Sequence, residues 1–411
     1  MTIELRGADP DQWDYLFDRV VRAFHANPDA VEERAGWRSV FEFDRLTTAW
    51  DGDEAVGTAG LHSFRMTVPG GELLDAAGVT MVTVQPTHTR RGILTSMMRR
   101  QLDSLHDGGE SVAILTASEP VIYGRFGYGT ATQELTGTVD TTRVAFAVPK
   151  GTDAVRLRLV QPADPAALAA CEAVYADLVP GRAGMLARQP HWENLPVVDS
   201  PAARHGAGPL MCVLAETDGE VRGYARYAVA HRSVGGGRES TVNLRDIAAL
   251  DPVTYAALWR YLASIDLTSA VHFDNRPVDD PLLHLVSDQR RCDLGVLDSL
   301  HLRLVDVGAA LAARAYSVPV DLVLDVTDAF CPWNAGRWRL TGDPKGATCE
   351  RTTDPADLAL DVKDLGAAYL GGPTLRAMSG AGLIQELRPG ALPTACDAFH
   401  TTPAPWLPHG F

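Results

Sequence analysis

The chain reads as an α+β protein of three successive units, at residues 1–145, 146–298 and 299–411. Three observations predict this. A length of 411 residues exceeds what one compact core accommodates. The first unit runs helix, antiparallel strands, helix, strand, and the second repeats that order faintly. From Leu302 onward the texture changes to short alternating strands.

In the first unit, Trp13, Leu16, Phe17, Val20, Val21 and Phe24 recur on one face of an amphipathic helix. Leu46-Thr47-Thr48-Ala49-Trp50, the turn Asp51-Gly52 and the extended run 55–64 predict a hairpin. Val79-Thr80-Met81-Val82-Thr83-Val84 predicts a strand that Pro86 stops. Leu94, Met97, Met98, Leu102 and Leu105 mark a second helix, and Ser111-Val112-Ala113-Ile114-Leu115-Thr116 a short buried strand.

The second unit has a strand at 156–160, a helix at 166–178, and Asp218-Gly219-Glu220-Val221-Arg222-Gly223-Tyr224-Ala225 where the first has Asp51-Gly52-Asp53-Glu54-Ala55-Val56-Gly57-Thr58-Ala59. Its strand at 244–250 is again followed by a helix, at 254–265. The repetition points to a duplicated domain. In the third unit Val318, Val320, Leu322, Leu324 and Val326 alternate, strands follow at 336–340 and 347–352, and residues 374–384 predict a helix. The Pro- and aromatic-rich tail 401–411 ends in Trp406-Leu407-Pro408-His409-Gly410-Phe411, which suits a packed tail better than a frayed one.

The composition, 46% hydrophobic and 22% charged, is that of an ordinary globular protein. No run approaches the roughly 18–20 apolar residues of a membrane span. The N-terminus alternates like a strand instead of opening with a basic and then an apolar region, so a cleaved leader is not expected. Six scattered cysteines, none in a CxxC pair, predict reduced thiols in a cytoplasm and no metal site. A net charge of −15 argues against nucleic acid. It favours cationic substrates, or simply keeps the chain soluble.

Two segments carry candidate chemistry. The first is strand, Thr87-His88-Thr89-Arg90-Arg91-Gly92-Ile93-Leu94, helix. Unpaired amides and the dipole at a helix head attract anions, Gly92 permits close approach, and Arg90 and Arg91 supply cations. An ordinary helix start with two solvated arginines is the alternative. The second segment is Thr116-Ala117-Ser118-Glu119-Pro120-Val121-Ile122-Tyr123-Gly124-Arg125-Phe126-Gly127-Tyr128-Gly129, directly after the buried strand. A tyrosine can protonate a departing thiolate, since its pKa of roughly 10 lies near the thiol's roughly 8.5. A glycine–aromatic hairpin that only packs on the sheet is the alternative. His62 and His88 read as structural. The second unit has Asp251-Pro252-Val253 in place of Arg-Arg-Gly, so it is expected not to hold a phosphate.

Together the two segments resemble the GNAT superfamily of N-acetyltransferases, whose phosphate loop reads Arg/Gln-x-x-Gly-x-Gly/Ala. Thr89 and Leu94 depart from that pattern at its edges, and Arg90 and Arg91 can compensate. More narrowly, the whole chain is similar to the enhanced-intracellular-survival (Eis) acetyltransferases. The resemblance rests on Val82-Thr83-Val84, Pro86-Thr87-His88, Arg90-Arg91-Gly92, Leu115-Thr116-Ala117-Ser118-Glu119, the specific run 122–129, and Leu302-Arg303-Leu304-Val305-Asp306-Val307 with 309–313. It implies tandem GNAT domains, the first active and the second degenerate, then a sterol-carrier-protein-like α+β domain, assembled as a homo-hexamer.

The resemblance also implies site residues. Acetyl-CoA would bind at Val82, Val84, Thr89, Arg90, Arg91, Gly92, Ile93 and Ser118. Tyr123 would be the general acid, and the terminal carboxylate of Phe411 the base. A carboxylate of pKa roughly 3.5 needs desolvation for that role, which burying Trp406 and Phe411 would supply. Phe24, Trp37, Trp192 and Asp298 would line the amine site, Trp192 and Asp298 being equally readable as core and surface. His25-Ala26 follows Phe24 where an acidic residue would help hold an amine. The expected activity is direct acetyl transfer to amines of polycationic small molecules, aminoglycoside-like, or to lysine side chains. No Gly-x-Ser-x-Gly suggests an acyl-enzyme. The rivals are acetylation of a protein or peptide only, or a lipid- or partner-binding protein with a vestigial first domain.

Overall fold

The computed structural model describes residues 3–25, 31–201, 204, 206–234 and 237–411, with side chains omitted at 232–234 and 237–239. The expected alternation over residues 1–6 forms strand β1 (Glu4–Arg6); Met1 and Thr2, like Ala26, lie outside the described residues. Helix α1 (Trp13–Ala23) buries Trp13, Leu16, Phe17, Val20 and Val21, the stripe the spacing predicts. A second helix, α2 (Val31–Val40), has no counterpart in the sequence reading because only Val40 on it is buried. The hairpin is β2 (Thr47–Asp51) and β3 (Glu54–Thr67), followed by β4 (Leu73–Val84), α3 (Ile93–Asp107) and β5 (Val112–Thr116).

After β6 (Gly129–Thr130) and β7 (Gln133–Asp140), the second repeat comprises β8 (Arg156–Val160), α4 (Pro165–Leu178), β9 (Leu186–Ala187), β10 (Met211–Thr217), β11 (Glu220–Val234), β12 (Gly237–Ala249), α5 (Pro252–Ala263) and β13 (Ala270–Pro277). Short helix α6 (Leu282–Leu285) leads to β14 (Gly295–Asp298), β15 (Leu300–Leu304) and α7 (Val307–Ala312). The last region holds β16 (Val320–Thr327), β17 (Gly336–Asp343), β18 (Gly346–Arg351), β19 (Leu358–Asp361), α8 (Val362–Ala368), α9 (Leu375–Gly380), β20 (Ile384–Glu386) and α10 (Ala391–Phe399). The helix expected at 374–384 is thus shorter. Gly382, in a left-handed conformation, breaks it, and Ile384 starts a strand.

Three sheets result, ordered β1-β2-β3-β4-β5-β15-β6, β14-β7-β13-β12-β11-β10-β8 and β18-β17-β16-β19-β20. The sheets do not follow three consecutive blocks of chain. β7, inside 1–145, pairs with β13 and β14 in the second sheet. β15, inside 299–411, pairs with β5 and β6 in the first. Each strand covers an edge that the other repeat's sheet would expose, and alternating strands carry no mark of which sheet they join. The third region is fastened to the first by one apolar cluster in which Leu302 and Leu304 of β15 meet Val362 and Leu365 of α8. All six cysteines are free; Cys171 and Cys212 face each other at 3.9 Å in the second repeat's core.

Candidate active site

The duplicated sheets share one irregularity. In the first, β4 and β5 run parallel and pair only at Ala76, Ala77 and Gly78 against Val112, Ala113 and Ile114. Beyond Gly78 the strands part. A bulge in β4 opposite Thr58 and Gly60 increases the divergence, with Met81 at φ +49°. Thr58 holds the bulge by donating its hydroxyl to the Met81 carbonyl at 2.7 Å.

The gap leads to the head of α3. Gly92 is its N-cap, at φ +80°, and no side chain caps the first turn. Arg90 is left-handed too, at φ +61°. Thr89, Arg90, Arg91 and Gly92 are exposed, while the Ile93 side chain is buried and pins the turn to the sheet. Asp51, at the hairpin tip, accepts from His88 Nε2 at 3.2 Å and stands 3.7 Å from Arg91 Nη1. Sequence reasoning used Asp51 only as a turn residue and did not foresee that it ties down the loop. The free amides and adjacent cations suit a pyrophosphate.

The sides of the gap are apolar. Val82 and Tyr123 belong to one cluster with Leu94 and Ala117. Val84 packs with Val82 near Ile93, and Ser118 is exposed where β5 ends. Tyr123 sits in a 3-10 turn, Pro120–Phe126, and burial raises its phenol to about 12, so it keeps its proton at neutral pH. Tyr128, ring 6.1 Å away, is entirely buried with its hydroxyl unpartnered, which suits packing only.

Ala77 and Val79 of β4 pack toward α3, whereas Ala76 and Gly78 face the other way. On that opposite face lies the tail. The Phe411 ring packs 4.8 Å from Phe64, and a Cβ on Gly78 would stand 3.1 Å from Phe411 Cε2. Gly410 lies beside Thr116, so the last two residues rest where β4 and β5 separate. Trp192 packs on Phe64 at 4.9 Å and on Trp37 at 6.2 Å. His62 is buried among Phe41, Phe64 and Trp192 with neither ring nitrogen partnered; burial and the nearby Arg45 charge lower it to about 4.

A cavity of about 1060 Å³ opens here, reaching from Trp37, Trp192, His409 and Gly410 across to the second repeat. Two expected amine-site residues lie elsewhere. Phe24 is half exposed where α1 ends, and Asp298 is exposed at the end of β14, 3.6 Å from His301 Nε2; neither lines the cavity. The lining is of mixed charge. Arg182, Arg188, Arg245 and Arg276 share it with Asp246, Asp251 and Asp274, so the overall acidity is not concentrated there.

Parted parallel strands opening onto a helix head, duplicated within one chain and left uncapped in the first repeat, define a GNAT-type N-acetyltransferase. Comparison with known proteins agrees: residues 4–131 and 184–304 match acetyltransferase (GNAT) domains, and 307–408 match a sterol carrier protein domain. The chain belongs to the Eis family of N-acetyltransferases. It is 33% identical over 395 residues to N-acetyltransferase Eis of Mycobacterium tuberculosis, spanning 93% of this chain and 92% of that one. An uncharacterized N-acetyltransferase of Streptomyces avermitilis is 59% identical over the full length of both chains. The crystal structure of Eis1 from Mycobacterium abscessus superposes with a TM-score of 0.83 at 34% identity, covering all of both chains. No helix among the described residues is long and apolar enough to cross a membrane.

Proposed function

We propose that this N-acetyltransferase moves acetyl directly from acetyl-CoA to a primary amine, with Tyr123 as general acid and the terminal carboxylate of Phe411 as general base. The observation that carries the reading is the convergence on one gap from two faces. The exposed loop 89–92 and Tyr123 approach from the α3 side, and Phe411 from the other. Acetyl-CoA supplies the activated thioester. Val82, Val84, Ser118 and the head of α3, from Thr89 to Ile93, would hold it. The carboxylate takes a proton from the incoming ammonium, and the Tyr123 phenol gives one to the departing sulfur.

Polycationic small molecules of aminoglycoside type and lysine side chains are the proposed acceptors, in a cytoplasmic homo-hexamer. The mixed lining makes a neutral aromatic amine a necessary third arm of the test. Release of coenzyme A thiol is followed with each amine, and at least one is expected to turn over. No turnover with any, together with no acetyl-CoA binding, overturns the enzyme reading in favour of a lipid- or partner-binding role. Extending the chain beyond Phe411 is expected to cut kcat roughly 100-fold while acetyl-CoA still binds. Full activity of the extended chain overturns the base assignment.

A further inference from the structure

The second repeat keeps the splay but bridges it, on one side of the large cavity. β12 and β13 pair only from Thr241 to Leu244 against Ala270 to Phe273 and then part, like β4 and β5. At the helix head, Asp251 accepts from the Thr254 amide at 2.8 Å and from its hydroxyl at 2.9 Å. Pro252 removes a further amide. A carboxylate therefore occupies the place where the first repeat is open to phosphate. Between the parted strands, Arg276 of β13 donates through Nη1 to the Ile247 carbonyl of β12 at 3.1 Å, and its Nε meets Asp280 at 2.8 Å. Both side chains are almost wholly buried.

The tail lies over this bridged splay. The Trp406 ring stands 5.0 Å from the Arg276 guanidinium, and its Nε1 donates to Asn275 Oδ1 at 2.9 Å. The Trp406 amide donates to the Ala183 carbonyl at 2.9 Å. Two residues earlier, the Ala404 amide donates to Asp279 Oδ2 at 2.8 Å, while Arg182 donates to the Ala404 carbonyl at 2.6 Å and to Asp279 Oδ1 at 2.7 Å. Gly184, at φ +90°, leaves room for the crossing: a Cβ there would lie 3.0 Å from the Trp406 carbonyl oxygen. Five residues separate Trp406 from the terminus, a reach of about 17 Å when fully extended. Along that stretch Leu407 is buried in the main apolar cluster and the His409 ring packs beside Tyr175 and Trp192, so the anchor at Trp406 sets where the final residues begin.

We propose that the degenerate repeat is a receptor for the chain's own tail. Its bridged splay binds Trp406, and Asn275, Arg276, Asp279 and Arg182 are positioning residues that deliver the Phe411 carboxylate to the first repeat. The proposal rests on the reading of that carboxylate as the base. Holding a base in place is worth orders of magnitude in rate, since a small misplacement alone costs roughly 100-fold.

The test uses the full chain and whichever amine turns over best. Trp406→Ala, and Asn275→Gly, which removes the acceptor while suiting the left-handed backbone at this position, are expected to lower kcat roughly ten-fold or more. Acetyl-CoA Kd should stay within about two-fold. Asn275→Asp keeps an acceptor for the indole and should retain most activity. In a chain lacking Phe411, Trp406→Ala should cause no further loss, because no terminal phenylalanine remains to be placed. Independently of activity, carboxypeptidase should release Phe411 faster from Trp406→Ala and Asn275→Gly than from the parent. Equal losses in both backgrounds, or unchanged kcat and carboxypeptidase rates, overturn the proposal and leave the base assignment standing. Full activity of the chain lacking Phe411 overturns the base assignment itself, and this proposal with it.

Discussion

Tyr123 and Tyr128 stand five positions apart in one glycine-rich segment and have different work. Tyr128 is sealed in the core with no partner for its hydroxyl; Tyr123 borders the gap with Val82 and Leu94. Replacing Tyr123 by Phe removes one oxygen and little packing, so kcat should fall about 100-fold with acetyl-CoA affinity unchanged. Stopped turnover and equilibrium binding check the two halves. Because burial holds the phenol at about 12, it stays protonated as the assay pH rises to 9.5, and no basic limb from this group should appear in kcat. The proposed acid stands out in the sequence through the run 122–129. What fastens the turn that carries it does not: Arg303, 177 residues after Phe126, is buried, donates to the Phe126 carbonyl at 2.7 Å and closes an ion pair with Asp328 at 2.5 Å.

At the scale of elements, the two helix heads show what a few residues decide. α3 begins at Gly92, with no side chain capping it, whereas α5 begins at Asp251, whose carboxylate caps its own first turn. That contrast was visible as Arg-Arg-Gly against Asp-Pro-Val. Helix α2 was not, since a nearly solvated helix lacks the apolar period that marks the others. In the glycine–aromatic segment the packing reading is visible, and the catalytic one remains the proposal made for Tyr123. Tyr123 faces the gap while its glycines serve packing: a Cβ on Gly129 would stand 2.8 Å from the Ala367 amide nitrogen in α8. Gly129→Ala must therefore push the third region away from β6 and should cost about 1–3 kcal/mol, read as a lower Tm. An unchanged Tm would mean that α8 yields without strain.

Over the whole molecule, three-part organisation was legible from the repeat and from the change in texture after Leu302, whereas the exchange of β7 and β15 was not. Pairing partners so distant leave no local pattern, and both strands read simply as alternating. The tail was legible only as aromatic; its route across the second repeat to Gly78 depends on Gly184 and Asn275, neither of which stands out in the sequence. The exchanged strands also bear on how the chain is made. β5 waits for β15, about 180 residues downstream, before its outer edge is covered. On the ribosome, then, the first sheet stays incomplete until the whole second repeat has emerged, and folding cannot proceed strictly from the first unit to the last. A fragment of residues 1–145 should accordingly stay aggregation-prone and fail to bind acetyl-CoA, and co-expression with 146–411 should rescue it. A monomeric, acetyl-CoA-binding 1–145 fragment would show the opposite. The duplication that supplied two sheets leaves the second waiting on nothing from the first, whose β7 is already made, while the first waits for a strand from beyond the second.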